Sequence, residues 1–289
     1  IEVISGPGGG FGTLLAGDGA RVYSTLNSGT TIPVADSYGL LAGTSQAAAH
    51  VAGVAALLAS LQPEISPDAL SSVLASSARP YPTGTFCATR TDCGAGLLDA
   101  RAALDRLNSL APTVTASVNL PGIRPTGSTI GLTATASAGS SGNTTFSYQW
   151  SQIAGPGVTL SSATSAATSF AAPSPGASYA FKVKVTDGAS LSASNQVSVT
   201  TDTAPVLNPI PTQTVAQAGA LTFSPSATDA ENNPVVFLAS SLPPGSSLNE
   251  ATGVFSWNSA GPAGNYAFTV TPNDGVFSGV PQTVSITVT

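Results

Sequence analysis

The stretch "LLAGTSQAAAHVAGVAALLAS", residues 40–60, sets the character of the N-terminal third of the chain. From Gly43 to Leu61 it is apolar on nearly every side, the pattern of a helix buried within a protein and not lying on its surface. Ser45 stands at its head. A serine there has its hydroxyl beside free backbone N–H groups and the positive end of the helix dipole, which suits it to stabilise an oxyanion. The plainer reading is a helix-capping serine. A hydroxyl also needs a base to take its proton before it can attack. His50 is the only histidine in the chain. It lies five residues on in the same helix, so its side chain turns roughly 140° away from Ser45 and rises about 7.5 Å. The two are not expected to hydrogen-bond, and His50 reads as a structural residue.

Downstream, Ser66-Pro67-Asp68 opens a second helix, with serine as N-cap, proline at the first helical position and a carboxylate in the first turn. That helix is expected to run to about Ser77. A third, near Leu98 to Leu110, follows the turn Gly94-Ala95-Gly96, and "RVYSTL" at 21–26 reads as a strand. The result is an α/β pattern missing most of its strands. Charge and composition change near Leu110: residues 1–110 hold five basic and eight acidic groups, and the longer remainder holds three basic (Arg124, Lys182, Lys184) and six acidic. Helical Ala/Leu-rich text gives way to Ser/Thr/Val/Gly/Pro text with strict alternation. Domains are therefore expected at 1–110, 111–202 and 203–289.

With 289 residues, 42% hydrophobic and 8% charged, the chain should fold into two or three domains. Its net charge of −6 and the lack of any basic run argue against nucleic acid or an anionic membrane as partner. The longest near-apolar run, Ala47 to Leu61, contains His50 and falls short of the roughly 20 residues a bilayer requires, so no membrane span is expected. The chain has no methionine and no charged-then-apolar leader at Ile1, which reads as a fragment whose preceding part has been removed.

The second part repeats itself. Tyr179-Ala180-Phe181 precedes Asp187-Gly188 at the spacing with which Tyr266-Ala267-Phe268 precedes Asp274-Gly275. Each copy opens on Ala-Pro, at Ala111-Pro112 and Ala204-Pro205. Tyr179, Phe181, Val183 and Val185 alternate with Lys182 and Lys184, which are expected to face water. Two β-sandwiches follow, with Trp150 and Trp257 as core anchors.

Gly43-Thr44-Ser45-Gln46-Ala47-Ala48-Ala49-His50-Val51-Ala52-Gly53 resembles the serine motif of the subtilisin-like peptidases, the subtilases, in which Met and Pro stand where this chain has Gln46 and Ala49. "GAGLLDARAAL" (94–104) is similar to the closing segment of many members, so the resemblance covers residues 1 to about 108. It implies a partial α/β subtilisin-like domain in which Ser45 corresponds to the acylating nucleophile and its backbone N–H to half of the oxyanion hole. The family's triad runs Asp, His, Ser along the chain, with an asparagine oxyanion donor between His and Ser. The resemblance thus implies that Asp, His and Asn precede Ile1. Asp18 and Asp36 could be proposed as the orienting carboxylate, but with no histidine to orient they read as solvated loop acids. Gln46 replaces an oxidisable Met.

Cys87 and Cys93 are the only cysteines. A metal site would need ligands that one histidine does not supply, so a disulfide closing a small loop is favoured, free thiols being the alternative. Residues 112–200 resemble the PKD-type immunoglobulin-like repeats through "YQWSQIAGPGVTL" and "FKVKVTDG". Residues 205–289 are similar to cadherin-like immunoglobulin modules through "SATDAENNPVVF" and "LPPGSSLNEATGVFSW". The cadherin-like resemblance implies calcium at module junctions, for which Asp202, Asp229, Glu231 and Asn232 offer oxygen ligands. The same residues are turn formers through Asx hydrogen bonds, and both readings stand. No cofactor is required by the serine chemistry.

The whole reads as part of a secreted, extracellular serine endopeptidase followed by two all-β immunoglobulin-like sandwiches. The fragment is expected to be inactive alone. Its substrates are proteins or peptides, and the modules are expected to act as spacers or as tethers to an extracellular matrix or cell-surface ligand. The rival reading is an adhesion or structural protein carrying an inert protease remnant.

Overall fold

A computed structural model describes residues 4–8 and 21–289. Packing divides the chain into two units. The first joins the residues up to 114 with 136–147 and 184–194, and the second joins 115–135, 148–183 and 195–289.

In the first unit, β1 (Val22–Asn27) and β2 (Asp36–Leu41) form an antiparallel hairpin with Val22 opposite Leu41 and Asn27 opposite Asp36. Three helices follow among the described residues: α1 (Thr44–Leu61), α2 (Pro67–Ser76) and α3 (Ala100–Leu110). Ser66 caps α2, accepting from the Ala69 N–H at 3.2 Å, and Asp99 caps α3 in the same way, accepting from Ala102 at 2.9 Å. The backbone around Leu97 is held on both sides. Ser5 accepts from the Leu98 N–H at 2.8 Å, and Arg79 and Leu97 exchange two bonds of 2.8 Å. Cys87 and Cys93 form a disulfide around a short 3-10 helix, Phe86–Thr89.

α1 differs from expectation in its surroundings. Only Val54 and Leu58 are buried, and Leu57 and Leu61 are 54% and 53% exposed. The apolar sequence asks for cover on every side, and the described residues cover one side, through Val73, Leu74, Ala103 and Leu107 of α2 and α3. By length and composition α1 could cross a membrane, contrary to the expectation of no candidate span. Its length is nevertheless about 27 Å at 1.5 Å per residue, short of a bilayer core of about 30 Å. It also packs on α2 and α3 as a helix of a folded domain does.

Leu191 belongs to the same hydrophobic cluster as Leu58 and Leu107. It lies in the turn after the strand that carries Lys184. Lys184 does not simply face water: its ammonium pairs with Glu64 Oε1 at 2.9 Å.

The first sandwich contains β3 (Thr113–Val118), β4 (Arg124–Pro125), β5 (Thr129–Ser137), β6 (Phe146–Ala154), β7 (Ala167–Ala171), β8 (Ser178–Asp187) and β9 (Ser192–Asp202). They form a three-stranded sheet, β3-β5-β7, and a four-stranded one, β4-β9-β8-β6. Alternation on β8 buries Tyr179, Phe181, Val183 and Val185, and the Phe170 ring lies 5.2 Å from Tyr179 and 5.1 Å from Phe181.

The second sandwich contains β10 (Val206–Leu207), β11 (Gln213–Val215), β12 (Leu221–Phe223), β13 (Ala227–Thr228), β14 (Val236–Ser240), β15 (Ser246–Leu248), β16 (Phe255–Trp257), β17 (Gly264–Asn273) and β18 (Gln282–Val288). Its main sheets are β11-β18-β17-β14 and β12-β16-β15. Phe223, Phe255 and Phe268 stack in its core, with centroids 4.9 Å apart across each of the Phe255 contacts. Trp150 and Trp257 are buried, each donating its indole N–H to a carbonyl, of Ser165 at 3.0 Å and of Pro244 at 3.1 Å.

Candidate active site at the head of α1

Ser45 is the second residue of α1, exposed, with Gly43 at the N-cap. Glycine supplies no capping side chain, and no acid lies in the first turn to compete for the positive helix end. The Gly43 N–H donates to the Gly8 carbonyl at 2.7 Å, and the Ala47 N–H donates to the Gly43 carbonyl at 3.3 Å. The N–H groups between them, including that of Ser45, have no acceptor within the helix. The 4–8 segment approaches so closely that a Cβ on Gly6 would lie 2.6 Å from the Ala47 carbonyl oxygen, and one on Gly8 would lie 2.5 Å from that of Gly43. Glycine is required at both positions for the backbone to lie against the helix start. These two residues carry no chemistry, and the sequence reading passed over them. Their role depends on a contact some 40 residues away in the chain.

Ser45 borders an open groove of about 670 Å³, lined also by Val22 and Leu41 of the hairpin and by His50, Val54 and Leu57 of α1. His50 is exposed, and its Nδ1–H donates to the Gln46 carbonyl at 2.8 Å, one turn back along the helix. That bond fixes the ring to its own helix. Asp36 is exposed at the start of β2. Asp18 lies outside the described residues. The site therefore holds a hydroxyl, an uncapped helix start and a groove.

A second polar cluster lies in the other unit, at the junction of the two sandwiches. Asp202 ends β9, Asp229 follows β13 and Asp274 follows β17. Glu231 accepts from the Gly176 N–H, from the Thr203 hydroxyl at 2.8 Å and from the Thr203 N–H at 3.2 Å, tying one module to the next. Asp202 Oδ1 accepts from Asn233 Nδ2 at 3.0 Å. Asn233, and not its exposed neighbour Asn232, is thus the amide that reaches Asp202. Asn232 sits at φ 61°, where it closes the turn. Burial, then the negative charges of Asp274, Glu231 and Asp229, hold the Asp202 carboxyl above the ordinary carboxylate range. Asp274 was read from sequence only as half of an Asp-Gly turn. The repeat spacing made it visible, and nothing local signalled its neighbours.

Comparison with known proteins follows the same division. Residues 4–107 match the Subtilase family, 117–201 a PKD domain, and 204–289 the family described as Putative Ig domain. An extracellular protease of Xanthomonas campestris pv. campestris is 43% identical over 96 residues, 33% of this chain and 16% of that protein. An extracellular basic protease of Dichelobacter nodosus is 41% identical over 97 residues, 32% of this chain and 15% of its own length. Among solved structures, one of proteases from Pseudoalteromonas arctica is 47% identical with a TM-score of 0.30, over 36% of this chain and 29% of that one. The match spans about a sixth of the curated relatives. Residues 4–107 thus resemble a segment of the subtilase family, followed by stretches that match a PKD domain and an immunoglobulin-like domain.

Proposed function

We propose that this chain carries the nucleophile of an extracellular serine endopeptidase, Ser45, which attacks the carbonyl carbon of a peptide bond to give an acyl-enzyme. The observation that carries the reading is an exposed serine at the second position of an uncapped helix, bordering a groove and within a segment matching the Subtilase family. As Oγ bonds to the carbonyl carbon, the carbonyl oxygen becomes an oxyanion. The Ser45 N–H and the positive end of α1 are oriented before the reaction to receive that charge. The Oγ proton must pass to a base, and collapse of the intermediate breaks the C–N bond as the leaving amine takes a proton.

His50 is not that base: its Nδ1–H bond to the Gln46 carbonyl holds the ring against its own helix, and its position five residues on turns it from Ser45. The imidazole and its orienting carboxylate come from sequence other than these 289 residues. The bare apolar flank of α1, with Leu57 and Leu61 exposed, supports a further layer packing there. The chain alone is therefore inactive. The relatives' names support protein substrates and an extracellular location, and the two sandwiches extend the protease toward a tethering ligand.

The test is hydrolysis of a fluorogenic peptide by purified residues 1–289 beside Ser45→Ala, with a serine-directed phosphonylating probe. Equal, background rates and no adduct are expected. Turnover above Ser45→Ala would show that a base within this chain serves Ser45.

A further inference from the structure

The disulfide-closed loop between α2 and α3 buries very little. Residues 82–92 are exposed except for the half-buried Cys87, and the 3-10 helix among them, Phe86–Thr89, has no buried residue. Such short turns have poor hydrogen-bond geometry, and an exposed segment with few buried contacts opens readily. Arg90 follows that helix with its backbone already extended, at φ −113° and ψ 147°. Its side chain, 45% exposed, pairs with Asp92 and lies over the Phe86 ring, 4.6 Å from the centroid. Phe86 is itself 74% exposed, so both contacts are made in water and are easily exchanged. The chain has eight basic residues, and the others are placed differently. Arg79 and Arg124 each precede a proline, whose ring and fixed φ hinder the pose an endopeptidase needs. Arg101 and Arg106 lie within α3, and Lys182 and Lys184 within β8, the strand between β9 and β6. Arg21 adjoins Val22, which is paired with Leu41. A peptide enters an endopeptidase drawn out over several residues, so bonds held in a helix or a sheet resist it.

We propose that the Arg90–Thr91 bond is a processing site for an arginine-specific endopeptidase, and that the cut leaves a two-chain protein held by Cys87–Cys93. The guanidinium supplies the positive charge that the acidic specificity pocket of such a protease takes, and Thr91 and Asp92 on the leaving side are exposed. The step consumes one water. Its oxygen bonds to the Arg90 carbonyl carbon, the C–N bond to Thr91 breaks, and the Thr91 nitrogen takes up the proton, leaving a carboxylate and an ammonium. The cut falls inside the disulfide ring, so the bridge spans the new ends. Other ties span it as well. Arg79 and Leu97 exchange two backbone bonds of 2.8 Å, and the Tyr81 hydroxyl donates to the Cys93 carbonyl. Leu107 of α3 stays in the hydrophobic cluster it shares with Leu58 and Val73. Cutting therefore divides Ser45 and the two sandwiches between separate polypeptides and leaves the fold assembled. This site does not depend on the role of Ser45.

The test is limited digestion of the oxidised chain, residues 1–289, with trypsin under native conditions, followed by mass. Trypsin cuts after both arginine and lysine, so every basic residue competes in one digest. The first product should weigh one water more than the intact chain. In denaturant it should stay one species without reductant and part into residues 1–90 and 91–289 with it. Circular dichroism at the helix band should be unchanged by the cut. Arg90→Gln should lose this product, Arg90→Lys should restore it, and Arg101→Gln should be cut as the wild type is. A first cut at any other basic residue, or an Arg90→Gln chain cut at the same place and rate, would overturn the proposal. A product that falls apart without reductant, or that loses its helix signal, would overturn the two-chain form.

Discussion

Gln62, which ends α1, and Ser192, which begins β9, are joined by three hydrogen bonds. Gln62 Nε2 donates to the Ser192 carbonyl at 2.8 Å, and Gln62 Oε1 accepts from the Ser192 N–H at 2.9 Å and from its hydroxyl at 3.1 Å. Gln62 is 8% exposed, so these bonds replace water that neither residue can readily recover. The helix that begins near Ser45 therefore finishes on the first sandwich, and the turn before Ser192 is part of the same packed unit as the helices.

Gln62→Ala should destabilise this unit by about 1–3 kcal/mol, because it leaves the Ser192 N–H without its acceptor. Leu191→Ala should cost about 2–5 kcal/mol by opening a cavity in the hydrophobic cluster it shares with Leu58 and Leu107. Urea unfolding followed by circular dichroism at the helix band checks both. An unchanged midpoint in Leu191→Ala would show that the turn does not support the helices.

The Cys87–Cys93 bond closes a loop with a sequence separation of 6. On the chain-entropy account a ring of this size contributes about 2 kcal/mol. Alkylation read by mass should modify neither cysteine before reduction and both after it. The reduced protein should melt lower, with the change confined to the first unit. Modification without reductant would contradict the bond.

Trp257→Ala should cost about 3–5 kcal/mol, since it removes a side chain that is 1% exposed and leaves the Pro244 carbonyl without its donor. Trp257→Phe should cost less and should still lose the hydrogen bond. Tyr266, whose ring meets Trp257 edge-on at 5.0 Å, offers a fluorescence probe of the repacking. Equal melting of the wild type and Trp257→Ala would exclude a core role.

How much of this was legible depended on how local each signal was. The cap at Ser66, the Pro67 start and the position of Ser45 at the head of α1 are fixed by neighbours within one helical turn, and they stand where the sequence put them. The alternation of β8 was equally plain. β2 was missed because "DSYGLL" alternates poorly and carries Gly39; its pairing with β1 supplies what its own pattern lacks. The exposure of α1 could not be read, because apolar residues state a need for cover and do not say whether it is present. At the junction, the polar turn Asp229–Asn233 was visible, but the charge of Asp274 acting on Asp202 comes from residues far apart in the chain, which no local pattern signals.

The account rests on Ser45 Oγ as the attacking atom, and its most direct test is to map a phosphonylating probe by mass spectrometry on a protein in which these residues are joined to a subtilase segment that supplies the histidine and its carboxylate. The adduct should sit on Ser45 Oγ, and both adduct and peptide hydrolysis should disappear in Ser45→Ala. An adduct on any other residue, or hydrolysis surviving in Ser45→Ala, would contradict it.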